Sequence, residues 1–321
     1  MKRITYLLLI IGFALLIKGA DFFVDGASKI AQALHVSPLL IGLTIVAFGT
    51  SSPEATVSIV AALEENAGVA IGNVVGSNIF NITFVVGLTA LLSPLKVESE
   101  TIRKEIPFTL LASTSLLILI SDISLQSLSS NFITRGDGFI FLLFFAIFLY
   151  YIFEVARHSR DRIKQESAAV EEPSWGKNIL FTLGGLAAII FGGDLTVNSS
   201  TKIAYSFGMS ETLVGLTIVA VGTSLPELIT SVTAALKKQS EIALGNIVGS
   251  NIFNILFVLG AASVISPLAV DPKIVVDVVL MIILTIVLLI FSRSNSQIGK
   301  IEGIILAAAY IIYMIYIILR N

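Results

Sequence analysis

No cysteine occurs among the 321 residues. Disulfides, thiolate metal sites and thiol chemistry are therefore excluded. The absence says nothing about compartment. Charge is also scarce: Asp, Glu, Lys and Arg make up 13% of the chain, against ~25% in an ordinary soluble domain. The net charge of −2 and pI of 5.8 leave no basic footprint, so no nucleic-acid partner is expected. The two histidines, His35 and His158, have no partner at ligand spacing. Neither an HExxH nor a GxSxG motif is present, so an enzyme is not expected.

What the chain has instead is apolar sequence. Hydrophobic residues make up 55% of it, and the mean hydropathy is +0.95. Ten apolar segments can be marked, near 4–31, 38–63, 69–92, 105–121, 137–156, 177–203, 211–236, 241–265, 273–292 and 299–319. About 20 apolar residues suffice to cross a bilayer as a helix. The expected fold is an all-α membrane protein with ten transmembrane helices, the lipid bilayer being its surroundings. Lys2 and Arg3 precede the first apolar run in the manner of a signal peptide. No small-residue cleavage site follows and nine more segments do, so a first transmembrane helix is the reading. The long polar stretch RHSRDRIKQESAAVEEPSW, within 157–176, reads as a linker.

Internal repetition is the strongest organising signal. Residues 20–98 align with 193–271 at a constant offset of 173 without a gap. GLTIVAFGTSSPE (42–54) matches GLTIVAVGTSLPE (215–227) at 11 of 13 positions, and GNVVGSNIFNI (72–82) matches GNIVGSNIFNI (245–255) at 10 of 11. The expected organisation is a five-helix repeat over 1–156, the linker over 157–176, and a second five-helix repeat over 177–321. Five spans is an odd number, so the second repeat enters the membrane inverted, as in many transporters. On that topology 13 Lys and Arg fall on the linker side and 6 on the other, with Lys18 inside the first span. The linker is therefore expected in the cytoplasm and both termini outside, in a multi-pass plasma-membrane protein.

Glu54 and Glu227 lie inside apolar spans at the same position of the two repeats. A carboxylate at bilayer depth costs a few kcal/mol or more and is functional by default. Thr50 and Thr223 stand four residues earlier, on the same helical face. Ser51 and Ser224 follow them. Pro53 and Pro226 crowd the carbonyl four residues back, which frees the oxygens of Gly49 and Gly222. A plain proline kink with Ser52 capping the new helix is the bland alternative, and it is compatible with a site. In the second motif Ser77 and Asn81, like Ser250 and Asn254, share a face. Gly72 with Gly76, and Gly245 with Gly249, form GxxxG pairs that permit close helix approach. Asn73, Asn78, Asn246 and Asn251 read as interhelical hydrogen bonders. Together these groups are all oxygen donors, the ligands of hard cations such as Ca²⁺ and Na⁺. Two glutamates carry −2, which one Ca²⁺, two Na⁺ or two protons would neutralise.

The sequences GTSSPE, GTSLPE and the paired GN(V/I)VGSNIFN resemble those of the sodium/calcium exchanger family, within the calcium/cation antiporter superfamily, and in its prokaryotic form. The resemblance covers essentially the whole chain. It implies a secondary active antiporter that binds Na⁺ and Ca²⁺ alternately as substrates, with no cofactor and no required protein partner. It implies that Glu54 and Glu227 hold the divalent ion. Thr50, Thr223, Ser51, Ser224, Ser77, Ser250, Asn81 and Asn254, with the carbonyls of Ala47 and Ala220, would complete the ion sites. It also implies alternating access, with the first and sixth spans sliding against the core. Asn254 stands where potassium-dependent members carry Asp, so no K⁺ requirement is expected. The short linker leaves no room for a large Ca²⁺-sensing domain.

The remaining polar residues read as peripheral. Lys18 and Asp21 form a structural ion pair, Asp25 and Asp194 lie at solvated span ends, Glu64 and Glu65 form a solvated face, and Trp175 anchors an interface. Proton-coupled Ca²⁺ antiport is the alternative function, followed by a passive cation channel.

Overall fold

A computed structural model of the chain describes residues 2–166, 174–208, 220–294 and 296–320. The apolar runs form helices, in chain order α1 (Lys2–Leu34), α2 (Pro38–Ile41), α3 (Ala47–Thr50), α4 (Ser52–Leu63), α5 (Ala67–Phe80), α6 (Val86–Leu92), α7 (Ile106–Leu119), α8 (Asp122–Gln126), α9 (Arg135–Glu166) and α10 (Trp175–Ser206). Then follow α11 (Ala220–Gly222), α12 (Leu225–Leu236), α13 (Ser240–Ile252), α14 (Gly260–Ile265), α15 (Pro272–Arg293) and α16 (Lys300–Arg320). Wider π-helical turns over Gly42–Val46, Asn81–Val85 and Phe253–Leu259 join α2 to α3, α5 to α6 and α13 to α14.

Among the described residues seven helical stretches are long and apolar enough to cross a membrane, and an eighth results if Pro38–Thr50 and Ser52–Leu63, bent by 49°, count as one. The protein is thus a multi-span membrane protein built almost wholly of helix. The expected segment 105–121 is the 14-residue α7, preceded by a π-helical turn over Thr101–Glu105. Of the expected segment 211–236, residues 211–219 lie outside the described residues and the remainder ends in the 12-residue α12. α9 continues to Glu166, so the first ten residues of the expected linker are helical, while 167–173 lie outside the described residues.

Two short antiparallel strand pairs depart from a purely helical expectation. β1 (Leu95–Lys96) pairs with β4 (Gln297–Ile298), Leu95 opposite Ile298, and β2 (Phe132–Ile133) pairs with β3 (Leu268–Ala269), Ile133 opposite Leu268. α15 connects β3 to β4 through 22 residues, about 33 Å at 1.5 Å per residue. The strand pairs therefore mark the two ends of the bundle.

The interior belongs to the second motif. In the span Ala67–Leu92, 78% of the most apolar stretch is buried, and in Ser240–Ile265 it is 83%, against 22–33% in the other long helices. The outer helices thus turn most of their surface to lipid, while these two are enclosed by protein. α1 and α10 pack along one another at glycines: a Cβ on Gly19 would stand 2.9 Å from the Gly185 carbonyl, and one on Gly185 would stand 2.5 Å from the Phe23 nitrogen. Helices approach this closely only where no side chain intervenes.

Candidate functional site

The first motif breaks its helix where proline demands it. Ser51 has φ −82° and ψ 8°, and Ser224 has φ −92° and ψ 9°, with Pro53 and Pro226 in the first turn of the helices that follow. Ser52 does not cap the new helix. Its hydroxyl donates back to the Phe48 carbonyl at 3.0 Å, so the break leaves the α4 terminus to other groups. Glu54 and Glu227 then sit in the first turns of α4 and α12, at the positive ends of the helix dipoles.

The two breaks meet. Ser51 Oγ donates to Glu227 Oε1 at 2.7 Å, and Ser224 Oγ donates to Glu54 Oε1 at 2.8 Å. Each serine serves the glutamate of the other half, a pairing that spacing within one helix does not reveal. Ser224 Oγ also lies 3.2 Å from Ser77 Oγ. The Ala47 carbonyl accepts from Thr50 Oγ1 at 3.3 Å and from Ser250 Oγ at 3.5 Å. Thr50, Ser51, Glu54, Asn81, Ser224, Glu227, Ser250 and Asn254 are all fully buried, and Ser77 is nearly so. Thr223 is half-buried and Ala220 opens α11.

The asparagines hold this arrangement in matched sets. Asn73 Nδ2 donates to the Glu54 carbonyl at 3.1 Å and to Ser58 Oγ at 2.9 Å. Asn246 Nδ2 donates to the Glu227 carbonyl at 3.3 Å and to Ser231 Oγ at 2.9 Å. Asn81 Nδ2 reaches Asn251 Oδ1 and Asn254 Nδ2 reaches Asn78 Oδ1, both at 3.3 Å. The interhelical role expected of these residues is what the geometry contains. Ser58 and Ser231 were missed. They too recur at the offset of 173, and that was the signal that could have found them.

The glycine pairs differ between halves. A Cβ on Gly245 would meet the Leu39 carbonyl at 2.7 Å, and one on Gly249 the Leu43 carbonyl at 2.7 Å, so α13 lies directly on the backbone of the first motif. Gly72 and Gly76 meet no described atom within 4 Å. They line a cavity of ≈ 520 Å³ that also touches Asn73, Ser77 and Thr223, and carries Asp271, Lys273, Asp277 and Arg320 on its walls.

Five buried oxygens of the candidate ligands have no hydrogen-bond partner among the described residues: Glu54 Oε2, Glu227 Oε2, Asn81 Oδ1, Asn254 Oδ1 and Thr223 Oγ1. An unsatisfied buried acceptor costs about 1–3 kcal/mol, more when charged. Oxygens grouped in this way suit a hard cation, which takes carboxylate, carbonyl and hydroxyl ligands.

Comparison with known proteins fits this site chemistry. The family model described as sodium/calcium exchanger protein matches residues 4–154 and 177–319. The chain belongs to the sodium/calcium exchanger family. It is 42% identical to the putative antiporter CaxA of Alkalimonas amylolytica over 97% of both chains. It is 37% identical to the inner membrane protein YrbG of Escherichia coli, over 96% of this chain and 94% of that one. The sodium/calcium exchanger MaX1 of Methanosarcina acetivorans is 35% identical over 98% and 99%. Among solved structures, the sodium-calcium exchanger NCX_Mj soaked with Na⁺ and Sr²⁺ superposes with a TM-score of 0.83 at 33% identity, over 97% of this chain and 98% of that one. Membership of this family identifies a transporter rather than an enzyme.

Proposed function

We propose that the protein is a plasma-membrane antiporter that exchanges Na⁺ for Ca²⁺ by alternating access at one shared site. The ligands would be Glu54, Glu227, Asn81, Asn254, Thr50, Thr223, Ser51, Ser224, Ser77 and Ser250, with the Ala47 and Ala220 carbonyls. The observation that carries this reading is the set of five buried oxygens without a partner among the described residues, two from carboxylates, two from amides and one from the Thr223 hydroxyl. Both ions bind such oxygens, and the two negative charges accept either one Ca²⁺ or two Na⁺, so occupancy by one ion excludes the other. Since Asn254 adds no third acid, K⁺ is not needed.

The reading includes ten spans as two inverted five-helix repeats, 1–156 and 177–321, with the segment 157–176 in the cytoplasm and both termini outside. Support comes from helix direction. The turn after α4 shares a surface cavity with Ala269–Asp271, beside β3. The last turn of α12 instead accepts a hydrogen bond from Ser93, beside β1, at 3.1 Å to the Ala235 carbonyl. Sequence-equivalent helices thus finish at opposite ends of the bundle.

The test is Ca²⁺ uptake into proteoliposomes loaded with Na⁺, against K⁺-loaded vesicles at matched pH. Uptake that requires the outward Na⁺ gradient is expected. Uptake that ignores Na⁺ and follows an imposed proton gradient would replace this reading with proton-coupled exchange.

A further inference from the structure

We propose that Asn78 and Asn251 are positioning residues whose task is to turn the amide oxygens of Asn254 and Asn81 toward the transported ion. The proposal rests on the cation-site reading above. An asparagine presents oxygen on one side and NH₂ on the other, and only the oxygen attracts a cation. The orientation of Asn254 is fixed by a chain of bonds that starts at the main chain. The Asn251 carbonyl can only accept, and Asn78 Nδ2 donates to it at 3.2 Å. Asn78 therefore offers its Oδ1 on its other side, and Asn254 must meet that oxygen with its NH₂, at 3.3 Å. The Asn254 oxygen is left facing away, buried and unpartnered. Asn251 Oδ1 does the same for Asn81 at 3.3 Å, and Asn81 Oδ1 is likewise buried without a partner. All four residues are at most 1% exposed, so water is not at hand to take over either role.

The experiment measures Ca²⁺ binding to the purified protein by titration calorimetry, for Asn78→Leu alone and in an Asn254→Asp background. Leucine is close to asparagine in size but accepts no hydrogen bond, which lets the Asn254 amide turn its NH₂ inward. Alone it should weaken Ca²⁺ binding about ten-fold or more, as for a lost buried hydrogen bond. A carboxylate has oxygen on both sides and needs no orienting, so in the Asn254→Asp background the same change should cost under about three-fold, within the scatter of additive substitutions. An equal loss in both backgrounds would mean that Asn78 only packs, and no loss in either would also overturn the proposal. If the parent protein itself bound no Ca²⁺, the site reading would fail first.

A separate observation carries a second inference. Lys237 Nζ, in the turn after α12, lies 2.8 Å from Asp25 Oδ1 and 3.1 Å from Asp21 Oδ1, and donates to the Asp21 carbonyl at 2.9 Å. Four residues on, Glu241 Oε2 accepts from the Leu39 N–H at 3.3 Å, at the N-terminus of α2. The segment 237–241 thus ties α13 to both α1 and α2. The repeat mates of Lys237 and Glu241 are Glu64 and Gly68, and those of Asp21 and Asp25 are Asp194 and Asn198. Glu64 would face Asp194 with like charge, Gly68 has no side chain to accept, and Asn198 donates to Asp194 at 2.9 Å. Two inverted repeats with equal turns would have no preference between their two closed states. We infer that the turn 237–241 is a latch that favours closure at the β1/β4 end, and that the turn 64–68 lacks its counterpart.

The cysteine-free chain permits a direct test. Ser240→Cys and Ala67→Cys place one thiol in each turn, at half-buried repeat-mate positions. Labelling rates with a charged maleimide are compared with and without Lys237→Glu, which copies the charge of the other turn. Part-exposed ion pairs are weak, so a shift of about three- to ten-fold is expected: faster at the thiol of Ser240→Cys, slower at that of Ala67→Cys. A local effect of the lost ion pair would leave the distant thiol unchanged. Labelling at Ala67→Cys that does not slow would overturn the latch.

Discussion

Removing a single hydroxyl from either break should cripple Ca²⁺ binding, and the two breaks should respond alike. Ser51 Oγ holds Glu227 Oε1 at 2.7 Å and Ser224 Oγ holds Glu54 Oε1 at 2.8 Å. In each carboxylate the second oxygen is unpartnered, so the serine fixes the rotamer that leaves Oε2 for the ion. A hydrogen bond to a charged group contributes about 1.5–3 kcal/mol, which is roughly a ten- to hundred-fold change in affinity. Ser51→Ala and Ser224→Ala should each weaken Ca²⁺ binding by that factor, within about three-fold of one another because the bonds are geometric equivalents. The double variant should be worse than either single yet fall short of their sum, since both glutamates hold the same ion. Titration of the purified protein with Ca²⁺ measures all three. Singles that bind within two-fold of the parent would show that the crossed bonds do not shape the site. A double variant no worse than either single would show that the bonds are one unit.

Three further outcomes are expected. Glu54→Gln and Glu227→Gln each remove one of two buried charges; at a 4 Å separation and an effective dielectric of about 20, one unit charge on a divalent ion amounts to about 8 kcal/mol, so Na⁺-driven Ca²⁺ uptake should vanish in both, and residual uptake above about one per cent would count against the shared site. Gly185→Ala would put its Cβ 2.5 Å from the Phe23 nitrogen and 2.7 Å from the Gly19 carbonyl; the α1/α10 contact should lose about 1–3 kcal/mol, read as a lowered midpoint in heated size-exclusion profiles, while an unshifted midpoint would mean that these helices separate freely. Replacing external K⁺ by an organic cation should leave Na⁺-dependent Ca²⁺ flux unchanged, whereas a flux that falls with K⁺ would show that Asn254 is not what decides K⁺ dependence.

The carboxylates, their neighbours and the doubled organisation were legible because each violates an ordinary expectation. Glu54 and Glu227 carry charge where charge is costly, and both motifs recur at one offset. Residues that share a helix face, such as Ser77 with Asn81, follow from periodicity alone. The crossed serine–glutamate bonds were not legible, because periodicity relates neighbours on one helix and says nothing of how two broken helices meet. The bland alternative, with Ser52 as a cap, does not hold, because its hydroxyl bonds back to Phe48; a hydroxyl at a proline break can serve either helix end. Asp25, read as a solvated span end, is part-exposed and in addition pairs at 2.8 Å with Lys237, 212 residues away in sequence, which periodicity does not show. Two of the ten expected segments are seen only in part as single long helices: 211–219 lie outside the described residues, which leaves α12, and 105–121 is the 14-residue α7 continuing a π-helical turn over Thr101–Glu105.

The most direct test of a single shared site is competition at equilibrium. Ca²⁺ affinity of the purified protein is measured at increasing Na⁺, with ionic strength held constant by an organic cation. One site for both ions predicts an apparent Ca²⁺ dissociation constant that keeps rising with Na⁺ and never levels off. A plateau, with both ions bound at once, would contradict exchange through the oxygens of Glu54 and Glu227.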